Sequence, residues 1–158
     1  KQKGETKMLR DNFVTLNRPV PAIYKTDAAM TTGMAVVIDD ATKTVKFPTA
    51  ATADNIYFVD KERVAESALS QASLSDYDEL YVNLAKGEFA KLRSYIAGEE
   101  FLTDAKGAAT VGKTVAAGTD GKLLDATAAS RYLYVEDYND NGHTLMKIRV
   151  LDTPVKNA

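Results

Sequence analysis

Short runs in which hydrophobic and polar residues alternate follow one another along the chain, and turn-forming residues separate them. Met34–Ile38 is a continuous apolar run rich in β-branched residues, which is typical of a buried strand. The turn-rich Asp39–Thr42 connects it to Lys43–Phe47, where polar and apolar residues alternate, and the two runs together predict a hairpin. β character resumes at Asn55–Val59, after a loop of small residues. This part of the chain therefore predicts at least three strands.

The last third of the chain carries the clearest pattern. A strand–turn–strand sequence spans Lys113–Leu124, and its turn at Gly118–Gly121 contains an Asp-Gly pair suited to positive φ. Period-two stretches at Arg131–Glu136 and Thr144–Leu151 lie on either side of the polar Asp137–His143. These two stretches give the strongest hairpin signal in the sequence.

The middle of the chain fits more than one structure. Within Asp60–Ala72, apolar residues recur at helical spacing behind a residue suited to cap a helix, yet the acidic, Ser- and Ala-rich composition is as typical of a surface loop. Glu79–Leu84 and Glu88–Tyr95, with a Lys-Gly turn between them, predict a second hairpin. Phe89 and Leu92 break the strict alternation of the second run, so a bulge or a helix is the alternative there.

Many short strands with glycine-marked turns predict a mainly β protein, namely a small sandwich or partly closed β-barrel of short antiparallel strands with at most one or two short helices. Residues 31–158 are expected to form a single β-rich domain. Residues 1–30 carry a net charge of +3 and contain Pro19 and Pro21, which favour an extended backbone. They predict either an extended N-terminal arm or a first strand preceded by a frayed terminus.

The amino-acid composition disfavours several classes of function. The 158 residues are 45% hydrophobic and 27% charged, which is ordinary for a folded domain, and the net charge of −2 disfavours non-specific nucleic-acid binding. The absence of cysteine removes disulfides, thiolate metal sites and cysteine nucleophiles, and the single histidine leaves little material for histidine chemistry. No apolar run approaches the ~20 residues that cross a bilayer. The sequence begins at Lys1, so either an upstream piece is removed or the sequence starts inside a longer product.

The turn Asp137–Gly142 has the sequence DYNDNG, which matches the first half of a calcium-binding loop. Such a loop needs a bidentate carboxylate at its twelfth position, where this chain has Ile148. An Asx-rich hairpin turn explains the same residues without an ion, and it is the interpretation we favour. His143 beside this turn lacks the partners of a metal site or a catalytic triad.

The segment Gly107–Thr114, with the sequence GAATVGKT, satisfies the bare spacing of a phosphate-binding P-loop. That loop functions between a buried strand and a helix, so that backbone amides converge on the phosphates. Val115–Gly121 contains glycines within a few residues and cannot form a helix of useful length. We therefore expect no nucleotide site here.

Two further features have structural explanations. Asp76, Asp78 and Glu79 are adjacent in sequence, which does not place two carboxylates across a sugar cleft, so a solvated loop is expected. The eight tyrosines and five phenylalanines are mostly on presumed strands, where core packing and cross-strand pairs explain them better than a glycan-stacking face. The sequence thus predicts no enzyme, no cofactor, no catalytic residue and no metal ligand.

Five segments stand in a characteristic order and cover much of residues 33–123. They are Gly33–Asp39, Thr44–Pro48, Ala50–Val59, Gly98–Asp104 and Gly112–Leu123. In order and character they resemble the capsid decoration proteins of tailed bacteriophages, which are also called cement or head-stabilisation proteins. The Ser-rich stretch at Glu66–Ser75 departs from that pattern.

The resemblance implies a non-enzymatic virion protein that is made in the host cytoplasm. Such proteins bind the outside of the shell at junctions between major capsid subunits, often as trimers, and bind neither nucleic acid nor membrane. Residues 1–30 would be the natural arm to reach a neighbour, and the acidic stretch Asp54–Glu79, with net charge −5, would face a basic surface. The main alternative is a carbohydrate- or host-surface-binding β-domain of a virion or bacterial surface protein. The other alternative is a small hydrolase or nucleotide-binding enzyme, which would need a cleft of perturbed acids.

Overall fold

The computed structural model describes residues 8–13, 19–20, 23–61 and 83–158. These residues form fourteen strands and no helix, so the predicted mainly β class is confirmed. The strands are β1 (Leu9–Phe13), β2 (Pro19–Val20), β3 (Lys25–Thr26), β4 (Met30–Thr31), β5 (Ala35–Asp39), β6 (Thr44–Lys46), β7 (Tyr57–Val59), β8 (Asn83–Leu84), β9 (Leu92–Arg93), β10 (Glu100–Thr103), β11 (Thr114–Ala117), β12 (Leu123–Asp125), β13 (Ser130–Asp140) and β14 (His143–Val155). Within these residues there is no helical segment that could cross a membrane.

The first sheet has the strand order β1-β10-β14-β13-β11-β12, and all of its neighbours are antiparallel. Its long hairpin of β13 and β14 turns at only two residues, Asn141 and Gly142, whose φ angles are 52° and 92°. Positive φ at both central residues is the geometry that an Asn-Gly pair favours, because it matches the twist of the two strands.

The second sheet has the order β2-β9-β7-β5-β6-β3, in which β3 runs parallel to β6 and the other pairs are antiparallel. The free side of β3 pairs with residues 88–90, which lead directly into β9. In this pairing the Thr26 amide donates to the Glu88 carbonyl at 2.9 Å, and the Ala90 amide donates to the Tyr24 carbonyl at 3.0 Å. The curled sheet therefore closes on itself as a small barrel, and we call residues 23–27 and 87–91 the barrel seam.

Two apolar cores form because β5 and β7 are buried on both faces. Val36 and Val59 point into the barrel, where they pack with its other buried side chains. Ala35 and Phe58, their neighbours along the same strands, point to the first sheet and join its core. Strands that are covered on both sides read as continuous apolar runs, which is why Met34–Ile38 lacks alternation.

The predicted hairpins of β5 with β6, β11 with β12, and β13 with β14 are confirmed. The extent of the last one was wrong, because its strands continue through most of Asp137–His143. This end of the hairpin is largely exposed on both faces, so its residues need no apolar alternation to remain strands.

The predicted second hairpin is wrong in the residues that can be compared. Asn83–Leu84 pairs with β4, and Leu92–Arg93 pairs with β7 and β2. Leu84 and Leu92 both fill the barrel interior, so burial against distant strands decides their partners over the nearby turn. Residues 79–82, and the ambiguous residues 62–72, lie outside the described residues.

Within residues 1–30, Leu9–Phe13 forms an edge strand on β10. Two ion pairs also hold it: Arg10 binds Asp140 of the long hairpin, and Asp11 binds Arg93 of the barrel. The Tyr95 hydroxyl donates a further hydrogen bond to Asp11 at 2.8 Å. Residues 1–7, 14–18 and 21–22 lie outside the described part of the chain.

Asp39 makes stability depend on pH. Its carboxylate accepts from Lys46 Nζ at 2.9 Å and from the backbone amides of Ala41 and Thr42 at 3.1 and 3.3 Å. The hydrogen bond from Lys46, followed by that from Thr42, lowers the pKa of Asp39 below its usual 3.8. Because the folded pKa lies below the unfolded one, this stabilisation is present above about pH 4 and is lost as the pH falls through the folded value.

We therefore expect Asp39→Asn to be less stable than the parent chain at neutral pH, and the difference to shrink below about pH 4. Urea unfolding of both proteins at several pH values measures this. Asp152→Asn, at an exposed carboxylate, is the matched control and should cost nothing detectable at any pH. A gap between parent and Asp39→Asn that stays constant down to pH 2 would contradict the assignment.

Candidate functional site

The barrel seam carries the two most exposed large hydrophobic side chains of the described residues. Phe89 is 57% exposed and Ile23 is 54% exposed. Lys25 pairs with Phe89 across the seam, and exposure alternates along residues 23–27, so Ile23, Lys25 and Phe89 share the outer face. The Lys25 ammonium lies 5.2 Å from the centre of the Phe89 ring, within the range of a cation–π contact.

Closure of the barrel creates this outer face. The hydrogen bonds on either side of Lys25 and Phe89 make them a non-hydrogen-bonded pair, in which side chains approach most closely. Their chain neighbours Thr26 and Ala90 point inward and are buried. The Thr26 hydroxyl donates to the Ala85 carbonyl at 2.8 Å, which fixes the turn that leads into the seam. Phe89 is therefore presented on a rigid backbone.

Charges of both signs lie around the seam, because the exposed Asp27 follows Lys25 on the same face. Lys86 lies exposed in the turn before Phe89, and Lys25 covers one side of its ring. The nearby Glu88 is paired with Lys61, whose ammonium lies 3.6 Å from its carboxylate. An apolar side chain flanked by carboxylates would complement the part of this surface that Phe89, Lys25 and Lys86 form.

Ten ionisable groups of the described residues have pKa values that are shifted away from neutral pH. Each of the ten shifts named here favours the form already present at pH 7. The pKa is lowered for Asp39, Glu100, Asp125 and Asp137, and raised for Tyr24, Tyr95, Tyr132, Tyr134, Lys106 and Arg93. Acid–base catalysts are tuned in the opposite direction, toward the working pH.

The polar side chains of the calcium-like turn Asp137–Gly142 bond to other groups of the protein. Asp137 accepts from Tyr134 and from Lys106, and Asn139 Oδ1 accepts from the Gly142 amide at 2.8 Å. Asp140 is paired with Arg10. Among the described residues, no three acidic or histidine side chains lie close enough together to hold a metal ion. His143, at the start of β14, is exposed.

The P-loop-like segment leads into a strand, β11, where a nucleotide site would need a helix. In a P-loop, Lys113 would be the lysine that binds a phosphate. Here its Nζ atom lies 3.3 Å from the Asp125 carboxylate and forms an ion pair with it. The Thr114 hydroxyl bonds to the side chain of Asn157 at 2.9 Å. These residues thus have structural partners, and the phosphate-binding geometry is not formed.

An open depression of about 400 Å³ lies between the loop before β7 and the start of β13. Asp54, Asn55, Arg131, Tyr132 and Pro154 contribute to its lining. Burial raises the pKa of Tyr132 to about 12, so its hydroxyl stays protonated at neutral pH. The lining could accept a small polar group.

An open aromatic platform is not formed by the exposed rings of the described residues. Phe89 and Tyr138 are each approached by a lysine, Tyr138 by Lys147 at 5.7 Å from the ring centre. Asp76, Asp78 and Glu79 lie outside the described residues.

Sequence reasoning did not identify the seam. Its signal was the break in alternation between Phe89 and Leu92, because Phe89 pairs with β3 whereas Leu92 pairs with β7.

No protein-family model, curated protein or solved structure matches this chain.

Proposed function

We propose that this protein is a non-enzymatic structural protein of a tailed-phage virion, which binds the outside of the major capsid shell and stabilises it. The observation that carries the proposal is that the separate segments resembling capsid decoration proteins form one continuous unit. The Ala35 amide donates to the Gly121 carbonyl at 2.8 Å, and Thr52 and Ala117 exchange two hydrogen bonds. The Thr103 hydroxyl donates to the Gly33 carbonyl at 2.9 Å. These hydrogen bonds connect segments that are far apart in sequence, as expected if the segments belong to one shared fold.

The ionisable groups support a passive role. A shell-stabilising protein needs surface area held in a fixed shape and many copies, whereas catalysis needs groups poised near neutral pH. In this chain the ten groups with shifted pKa values named above are held in their ordinary neutral-pH forms by burial or by partners such as the ion pair of Arg93 with Asp60, at 2.6 Å. These contacts make the body rigid without preparing a reactive centre.

The barrel seam is the surface that we assign to the capsid contact. Interface energy concentrates in a few well-presented aromatic side chains, and Phe89 stands on a closed backbone on the same outer face as Ile23. The flanking Lys25 and Lys86 would pair with carboxylates of the shell. The partner is then the major capsid protein, and the resemblance favours a trimer as the bound form.

Binding to purified shells tests the proposal. DNA-filled shells would be prepared from a phage that lacks this gene and mixed with the purified chain. We expect saturable binding at a fixed stoichiometry and a higher temperature of shell disruption. Phe89→Ala should weaken binding by about tenfold or more, as loss of a central aromatic contact does.

The matched control is Val111→Ala, which shortens a side chain that is also exposed but lies outside the seam. It should bind like the parent chain. Failure of the parent chain to bind shells would refute the proposed function. Equal binding of the parent chain and Phe89→Ala would refute only the assignment of the seam.

A further inference from the structure

Asn141 and Gly142 form the exposed two-residue turn between β13 and β14. Of the seven asparagines in the chain, Asn141 alone is followed by glycine. Glycine has no side chain to hinder approach of its backbone nitrogen to the preceding side-chain amide. An exposed Asn-Gly pair therefore has the residue chemistry for spontaneous deamidation.

We propose that Asn141 is a deamidation site, and that the side chain of Asn139 slows its reaction. The Gly142 nitrogen, which would be the nucleophile, donates its hydrogen to Asn139 Oδ1 at 2.8 Å. This hydrogen bond stabilises the protonated, unreactive nitrogen. It also holds Gly142 in the turn, while the reaction needs that nitrogen to swing toward the Asn141 side chain.

The reaction consumes only water. The Gly142 nitrogen bonds to Asn141 Cγ while the Cγ–Nδ2 bond breaks, and ammonia leaves with the proton from the Gly142 nitrogen. The product is a five-membered succinimide ring. Water then opens the ring: addition at the side-chain carbonyl gives aspartate, and addition at the backbone carbonyl gives isoaspartate. No oxidant or reductant takes part.

The product changes a turn that carries structural contacts. A new carboxylate would stand next to Asp140, which is paired with Arg10 of β1. Isoaspartate would also insert one extra carbon into the backbone of a two-residue turn, whose register depends on its length. The site therefore lies where modification affects both the hairpin end and the N-terminal strand.

Peptide mapping by mass spectrometry after prolonged incubation at mildly alkaline pH tests the inference. We expect conversion at Asn141 in the folded parent chain, with little at the other asparagines. Asn139→Ala should convert about fivefold faster, the rate equivalent of one ordinary hydrogen bond. Asn139→Asp keeps an acceptor at the same place and should stay close to the parent rate.

Thr144→Ala is the matched control, because Thr144 lies opposite Asn139 in the hairpin without a hydrogen bond to the Gly142 amide. It should react at the parent rate. Equal rates for the parent chain and Asn139→Ala would overturn the role of Asn139. An unchanged Asn141 in the folded proteins, under conditions that convert a synthetic peptide of residues 136–147, would overturn the site itself.

Discussion

Phe58→Ala is expected to lower the free energy of unfolding by about 3–5 kcal/mol, as truncation of a fully buried phenylalanine does. Phe58 is completely buried on β7, between the barrel and the first sheet. Its ring centre lies 4.5 Å from that of Phe101, 5.8 Å from that of Tyr95 and 6.0 Å from that of Tyr132. Phe101 and Tyr132 lie on strands that are fixed by their hydrogen bonds, and the Tyr95 hydroxyl is bound to Asp11, so the cavity cannot collapse fully and the lost contacts are not replaced.

Urea unfolding measures this change. Phe89→Ala removes the same side chain from the exposed seam and should change stability by no more than about 0.5 kcal/mol. Phe58→Leu retains most of the volume and should cost about 1.5 kcal/mol or less, so it stays folded if the alanine variant does not. A loss below 1 kcal/mol in Phe58→Ala would mean that the barrel and the first sheet do not share this core.

Elements that form between chain neighbours could be predicted from the sequence. The hairpin of β5 and β6 is marked by a turn-rich stretch between two strand-like runs, and the turn before β12 has an Asp-Gly pair. Local turn chemistry and periodicity determine these elements, so a single sequence contains the required information.

Closure of the barrel could not be predicted in the same way. It depends on β3 pairing in parallel with β6 and antiparallel with residues 88–90, which are more than sixty positions further along the chain. Such pairing depends on which side chains pack together inside the barrel. The sequence around Leu84 and Leu92 does not show which distant strands these residues will pair with. The seam escaped prediction for the same reason, because the long-range pairing of Phe89 with Lys25 places Phe89 on the outer face of the barrel.

The structural context also decides how two motif-like segments are interpreted. The sequence DYNDNG and the segment Gly107–Thr114 each contain residue types that serve in ion or phosphate sites. In the fold these residues belong to strands or tight turns, and their polar groups are used by Lys106, Asp125 and Asn157. A motif indicates chemistry only when the surrounding elements orient it.

Gly33→Ala is expected to cost about 3 kcal/mol of unfolding free energy. Gly33 has a φ of 93°, and a Cβ atom there would lie 2.8 Å from the Met8 carbonyl oxygen and 2.9 Å from Thr103 Oγ1. The left-handed backbone accounts for about 1 kcal/mol of the cost and the clash for about 2 more. The Met8 oxygen belongs to the backbone that enters β1, and it accepts a hydrogen bond from the Asp104 amide, so it cannot move aside without loss.

Gly98→Ala separates the two contributions, because Gly98 has a φ of 88° but no atom within 4 Å of the added carbon. It should cost about 1 kcal/mol, again measured by urea unfolding. The clash in Gly33→Ala would be relieved first by displacing Met8, so hydrogen exchange of the β1 amides should accelerate in this variant more than in Gly98→Ala. Equal costs for the two variants, with unchanged exchange in β1, would mean that the N-terminal strand does not pack against Gly33. If the costs differ as expected, Gly33 is the point where the start of β1 meets the entry to the barrel.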